Sequence, residues 1–241
     1  MQDERRRKTM SHFNVLVMTN NDSLDLNELL APYDESLTRA PWIEFTRQEA
    51  IDYARENFIK LADKSDEECW AFMAEDCITD KAGNIYSTSN PDAKWDWWQI
   101  GGSWKNFLRL KDGTRANHAK IKDIDFRLDQ EAYEQALRFW DLVVEHKPLE
   151  PDEKTPFSLW NEDYYRDNYG DRESYARSMA SFHTQAVVLP NGLWCECGNV
   201  GWWGFSDETA AEARNWEKDF VDRFIVGEDE NTVVTIVDCH I

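Results

Sequence analysis

Residues 12–18, HFNVLVM, carry apolar side chains on both strand faces, as a strand in the middle of a sheet does. Residues 231–241, NTVVTIVDCHI, predict a second strand at the far end of the chain. Between them the apolar period lengthens to that of helices. Thr46 opens one, with Glu49 at capping-box spacing and Ala50, Ala54, Phe58 and Leu61 as its apolar stripe. Residues 128–146 predict the clearest helix, with Asp129 as cap and Tyr133, Leu137, Trp140 and Val144 on one face. Further helices are expected from Asp171 and after Ser206, the latter burying Trp216, Phe220 and Phe224. Residues 182–196, FHTQAVVLPNGLWCE, read as a hairpin turning at Asn191-Gly192.

The stretch 67–111 is less regular. DKAGN (80–84) and KDGT (111–114) are turn signals, and WDWWQI (95–100) and KNFLRL (105–110) flank Gly101-Gly102, which predicts a small antiparallel meander. Strand alternation puts Trp95 and Trp97 on one face and Trp98 and Ile100 on the other, so these side chains cannot all share one core. The order strand, helix, meander, helix, hairpin, helix, strand predicts an α+β fold: a mixed or antiparallel sheet with helices on one face. A ferredoxin-like core with an inserted Trp-rich meander is the expected form. The proline-rich residues 147–156 do not divide it, because neither side holds a complete set of elements. One domain is expected over 10–241, with 1–9 (MQDERRRKT) as a disordered extension and Met10 as the natural start.

Charge narrows the partners. The 241 residues carry 27 Lys plus Arg against 47 Asp plus Glu, a formal charge of −20. That field repels nucleic acid, so direct nucleic-acid binding is not expected, and it favours a protein partner with a basic surface. No run of about eighteen apolar residues and no signal-peptide pattern is present, which predicts a cytoplasmic protein without a membrane partner. The five cysteines, an odd number, argue against a disulfide framework.

Candidate chemistry centres on histidines. His118 and His146 read as surface residues, whereas His12, His183 and His240 lie in or at the ends of strands. Asp238 and His240 share a strand face, where the carboxylate can orient an imidazole. His12 and His183, each followed two residues later by a polar side chain, resemble the paired histidines of two-histidine phosphoesterases, in which one imidazole acts as base and the other as acid. Cys195 and Cys197 are spaced more tightly than structural zinc ligands, and neither a metal nor another cofactor is expected. Gly101-Gly102 lacks a phosphate-loop or dinucleotide signature. Trp95, Trp98, Gly101, Gly102, Trp104, Trp202 and Trp203 are the candidate ligand- or partner-binding residues, because aromatic platforms stack on bases and anchor protein interfaces.

MSHFNVLVMT, WDWWQIGGSW, FHTQAVVLPNGLW with the GWWG that follows, and VVTIVDCHI together resemble a group of phage- and prophage-encoded hypothetical proteins. The resemblance runs from Met10 onward and implies a place in an infected host cell, without implying an activity. Members of that group often carry arginine at the position of Ser103, so anion binding at that position is weakened in this chain. Two functions follow as expectations. The first is a phage accessory protein that binds, as an acidic inhibitor, a host defence or nucleic-acid-processing protein. The second is a phosphodiesterase or other hydrolase acting on a small nucleotide through His12, His183, Asp238 and His240.

Overall fold

The computed structural model describes residues 12–20, 25–198 and 209–241. Along the chain it contains β1 (His12–Thr19), α1 (Leu26–Leu30), β2 (Trp42–Phe45), α2 (Arg47–Asn57), α3 (Asp66–Ala74), β3 (Ile78–Thr79), β4 (Ile85–Ser87), β5 (Trp97–Ile100) and β6 (Leu108–Arg109). There follow β7 (Arg115–Ala116), β8 (His118–Lys120), α4 (Gln130–Val143), α5 (Glu162–Tyr169), α6 (Arg172–Ala180), β9 (Ala186–Val188), β10 (Trp194–Glu196), α7 (Ala210–Phe224) and β11 (Val233–His240). The expected terminal extension, the Met10 start, Ser206, Trp202 and Trp203 lie outside the described residues.

Two compact units make up the chain: 32–93, and the residues on either side of it. The flanking unit holds the α+β sheet, in the order β10-β9-β1-β11-β5, with β8 also paired to β11. β1 and β11 run antiparallel along their whole length, from His12 opposite His240 to Thr19 opposite Val233. β9 lies parallel to β1, with Val15 opposite Ala186, so the sheet is mixed. Both central strands are apolar on two faces because both faces are covered, and β11 is buried throughout.

The topology departs from a ferredoxin-like core. There the βαβ unit is split by an intervening strand; here β1 and β9 are direct neighbours and β10 lies outside them. The Trp-rich stretch departs too. β5 does not pair with β6 in a local meander. It is paired along Val237–His240 of β11, while β6 pairs with β7. One edge of β11 is therefore occupied by β1 and the other by β5 and β8 in series.

One of the two covered sheet faces packs against α7. Leu16, Met18, Val187, Val234 and Ile236 pack with Trp216, Phe220 and Phe224 of α7. The three aromatics recur every four residues, as an inward helical stripe requires. Thr209 caps α7 in a full capping box with Glu212, a role expected of Ser206. Trp216 donates its indole N–H to the Thr184 carbonyl at 2.7 Å, which fixes the helix against the chain entering β9. A second cluster, with Trp140, Val144, Tyr165 and Tyr175, binds α4, α5 and α6 together.

The unit 32–93 has its own sheet, β2-β4-β3, and a small core of Ile51, Ala54, Leu61 and Cys69. Its α2 starts at the expected Thr46–Glu49 capping box.

Candidate functional site: paired aspartate–histidine dyads at the sheet end

The antiparallel register sets the site. Asn14 opposite Asp238 and His12 opposite His240 continue the face that bears Leu16, Met18, Val234 and Ile236, beyond the end of the α7 core. β5 adds Gln99 opposite Asp238 and Trp97 opposite His240. Apolar side chains thus give way to a polar cluster along β1 and β11, where β5 joins them.

Asp238 is fully buried. Its Oδ1 lies 2.8 Å from His12 Nδ1, and its Oδ2 accepts the Ser103 backbone N–H at 2.8 Å. Gln99 Nε2 stands at 3.5 Å from the same oxygen. Burial pushes the carboxyl upward, but hydrogen bonds from Ser103 and His12 outweigh it and hold Asp238 below its ordinary range. The group is therefore a carboxylate, which can only accept, so His12 Nδ1 carries the proton between them. That fixes the tautomer and leaves His12 Nε2 as the nitrogen for proton exchange. The His12 side chain is 36% exposed, so a substrate can reach it.

His240 forms a second dyad. Its Nδ1 is 2.5 Å from Asp96 Oδ1, and the Asp96 backbone N–H donates to the His240 carbonyl at 2.9 Å. The two imidazole centroids are 5.1 Å apart with planes at 68°. His240 Nε2 is buried and has no hydrogen-bond partner among the described residues.

Gly101 and Gly102 make the geometry possible. Their φ angles are +73° and +50°. A Cβ on Gly102 would lie 2.1 Å from Asp238 Oδ2, so only a glycine lets the turn approach the carboxylate and aim Ser103 N–H at it. The contact at position 103 comes from the backbone, so it needs no particular side chain there.

The remaining expected residues fall elsewhere. His183 does not join this hydrogen-bond set: its Nδ1 lies 3.1 Å from the carbonyl oxygen of Ser181. Trp95 is buried, with its indole N–H donated to the Leu30 carbonyl at 3.1 Å, and is therefore no contact surface. Trp104 packs against the α7 core. Trp98 is half-buried opposite Cys239, on the other face of the sheet. Trp97, outside the expected set, is the exposed member of the run and lies edge-on to His12, with centroids 6.4 Å apart and planes at 83°. His118 is exposed, and His146 pairs at the surface with Glu162 at 2.7 Å.

Cys239 points away from the dyads, and burial, then the nearby Asp238 charge, push its thiol above the ordinary range, so it is no ready nucleophile. Cys195 and Cys197 belong to the apolar core under α7. Among the described residues no group of three His, Cys, Asp or Glu side chains is placed to hold a metal ion.

Sequence reasoning missed Asp96 and Gln99, met Asn14 only as the polar residue two after His12, and weighed position 103 for its side chain, whereas its backbone N–H makes the contact. Asp96 and Gln99 carried one usable signal: they are polar residues inside an otherwise aromatic strand, where an unpartnered polar group would be costly. Compared with protein-family models, curated proteins and solved structures, the chain matches none.

Proposed function

We propose that the His12–Asp238 dyad is the general acid–base centre of a hydrolase acting on small phosphodiesters of mononucleotide size. The observation that carries this reading is the buried, fully partnered Asp238 holding Nδ1 of a solvent-accessible His12. This is the base-plus-orienting-carboxylate arrangement used for proton transfer in hydrolysis. Nε2 takes a proton from water or from a substrate hydroxyl as that oxygen forms the new bond to phosphorus. The bond to the leaving oxygen breaks, and the imidazolium returns the proton to it. His240, held by Asp96 beside the His12 ring, limits where that ring can turn. Asn14 takes the Gln185 backbone N–H on its side-chain oxygen at 2.9 Å, which leaves its amide N–H₂ as a donor on the dyad face.

The test is hydrolysis of bis(p-nitrophenyl) phosphate and of 2′,3′-cyclic mononucleotides by the full chain and by His12→Gln. The expected result is a fall in kcat/KM of about 10²–10⁴-fold in the variant, with an unchanged circular-dichroism melt. Equal turnover by the two proteins, or none by the parent on either substrate class, would overturn the reading.

One observation favours a binding role as a second reading. Arg47, Arg55, Arg109, Arg127, Arg138 and Arg172 all pair with carboxylates of the same chain, so these cations are not on offer to an acidic partner and the −20 charge favours a basic one. The partner would be a host or phage protein with a basic surface. Capture from infected-cell lysate that vanishes on raising NaCl to about 0.5 M supports this reading; salt-independent capture opposes it.

A further inference from the structure

We propose that Trp97 is the floor of a ring-binding subsite next to His12, taking the planar heteroaromatic base of a small nucleotide. The proposal names a substrate class for the acid–base centre and rests on that reading for the word substrate.

Three observations converge on Trp97. The first is exposure against type. Trp95 is only 8% exposed and has its N–H satisfied inside the protein, whereas Trp97, two residues on, is 47% exposed. An indole is among the largest apolar surfaces a protein can bury, and leaving one open forgoes that stabilisation. The second is placement. The register sets Trp97 opposite His240, on the face that carries Asp238 and His12, and sets Trp98 opposite Cys239 on the reverse face. Had the pairing slipped by one residue, Trp98 would stand beside the histidines instead.

The third observation is orientation. The indole and the His12 imidazole stand at 83° with centroids 6.4 Å apart, so the imidazole is not stacked parallel on an indole face. A ring laid on that face, at the spacing of stacked aromatics, brings its substituents alongside the imidazole that exchanges protons. Nucleobases suit such a floor because every base presents a π-face. The −20 charge selects for size, because a strand of many phosphates is repelled far more than a single nucleotide.

The experiment uses the full chain and separates binding from turnover. Adenosine and ribose 5-phosphate are titrated against the parent, Trp97→Ala, Trp97→Phe and His12→Gln, with isothermal calorimetry and the indole N–H signals in NMR as readouts. Adenosine is expected to bind the parent and to shift the Trp97 indole signal. Its Kd should rise about 5- to 150-fold in Trp97→Ala, the range that base stacking on one aromatic residue supports. Trp97→Phe should recover part of the loss, and His12→Gln should bind adenosine as the parent does. Unchanged adenosine binding by Trp97→Ala, or ribose 5-phosphate binding the parent as tightly as adenosine, overturns the subsite. Failure of the two readings is distinguishable: an active His12→Gln with Trp97-dependent adenosine binding removes the acid–base centre and leaves the ring site standing. An inactive His12→Gln with Trp97-independent binding does the reverse.

Discussion

Gly102 concentrates the site's demands into one residue. Its φ of +50° disfavours any side chain, and its missing Cβ leaves room for Asp238. Gly113 separates these two effects, because it has a φ of +86° and a Cβ added there would meet nothing within 4 Å. Gly113→Ala should therefore lose only the backbone term, about 1 kcal/mol. Gly102→Ala adds displacement of a buried carboxylate from the Ser103 N–H, and should lose about 2–4 kcal/mol in total. Urea unfolding of the two variants beside the parent measures the difference. Equal losses would mean that the turn can retreat from Asp238 without consequence. The sequence marked the Gly-Gly pair as part of a local meander; what the pair meets is a carboxylate more than a hundred residues away in the chain, which no local pattern encodes.

Elements whose partners are local could be read from the chain, and those placed by distant pairing could not. The α2 capping box, the Asp129 cap of α4 and the Asn191-Gly192 hairpin all rest on residues close to one another in the chain. The double-sided apolar pattern of β1 correctly marked a central strand, and alternation along β11 placed Asp238 and His240 on a common face. By contrast, β5 looks like half of a local meander because Gly101-Gly102 and residues 105–110 follow it, yet its hydrogen bonds go to the last strand of the chain. The sequence could therefore name His12, Asp238 and His240 but not Asp96, which reaches His240 only through that pairing. α3 and α5 escaped notice for another reason: α3 has aromatic and acidic residues around its circumference, and α5 presents one buried tyrosine in eight residues. The cap of α7 lends itself to a test at this scale. Thr209 accepts the Glu212 backbone N–H and the Glu212 carboxylate returns to the Thr209 N–H, so Thr209→Ala removes one arm of a reciprocal pair. Chemical denaturation should show a loss of about 1 kcal/mol. Because α7 lies over the apolar part of the sheet and not over the dyads, the same variant should keep the activity assigned to His12.

At the scale of the whole molecule, two electrostatic effects oppose each other, and their balance is open to measurement. The −20 charge makes the folded chain repel itself, a term that salt weakens. The many arginine and lysine pairs attract, and salt weakens them too, but each exposed pair contributes only about 0–1 kcal/mol. Distance decides between them. Raising ionic strength from about 0.01 M to 0.15 M shortens the screening length from about 30 Å to about 8 Å. That change removes repulsion between charges spread across the molecule while leaving pairs in direct contact largely intact. The buried Asp141, bound by Arg172 at 2.7 and 2.9 Å and by Lys147 at 2.8 Å, is the kind of contact that survives. Tm at pH 7 should therefore rise with added NaCl, by about 2–4 °C for each ~1 kcal/mol of repulsion relieved in a chain of this length. Chloride is the informative salt, since sulfate would raise Tm through apolar burial as well. A Tm that falls over the same range would show that the contact pairs outweigh the long-range repulsion. In that case the surface is better described as charge-matched locally than as an acidic field, and the basic-partner reading loses its physical ground.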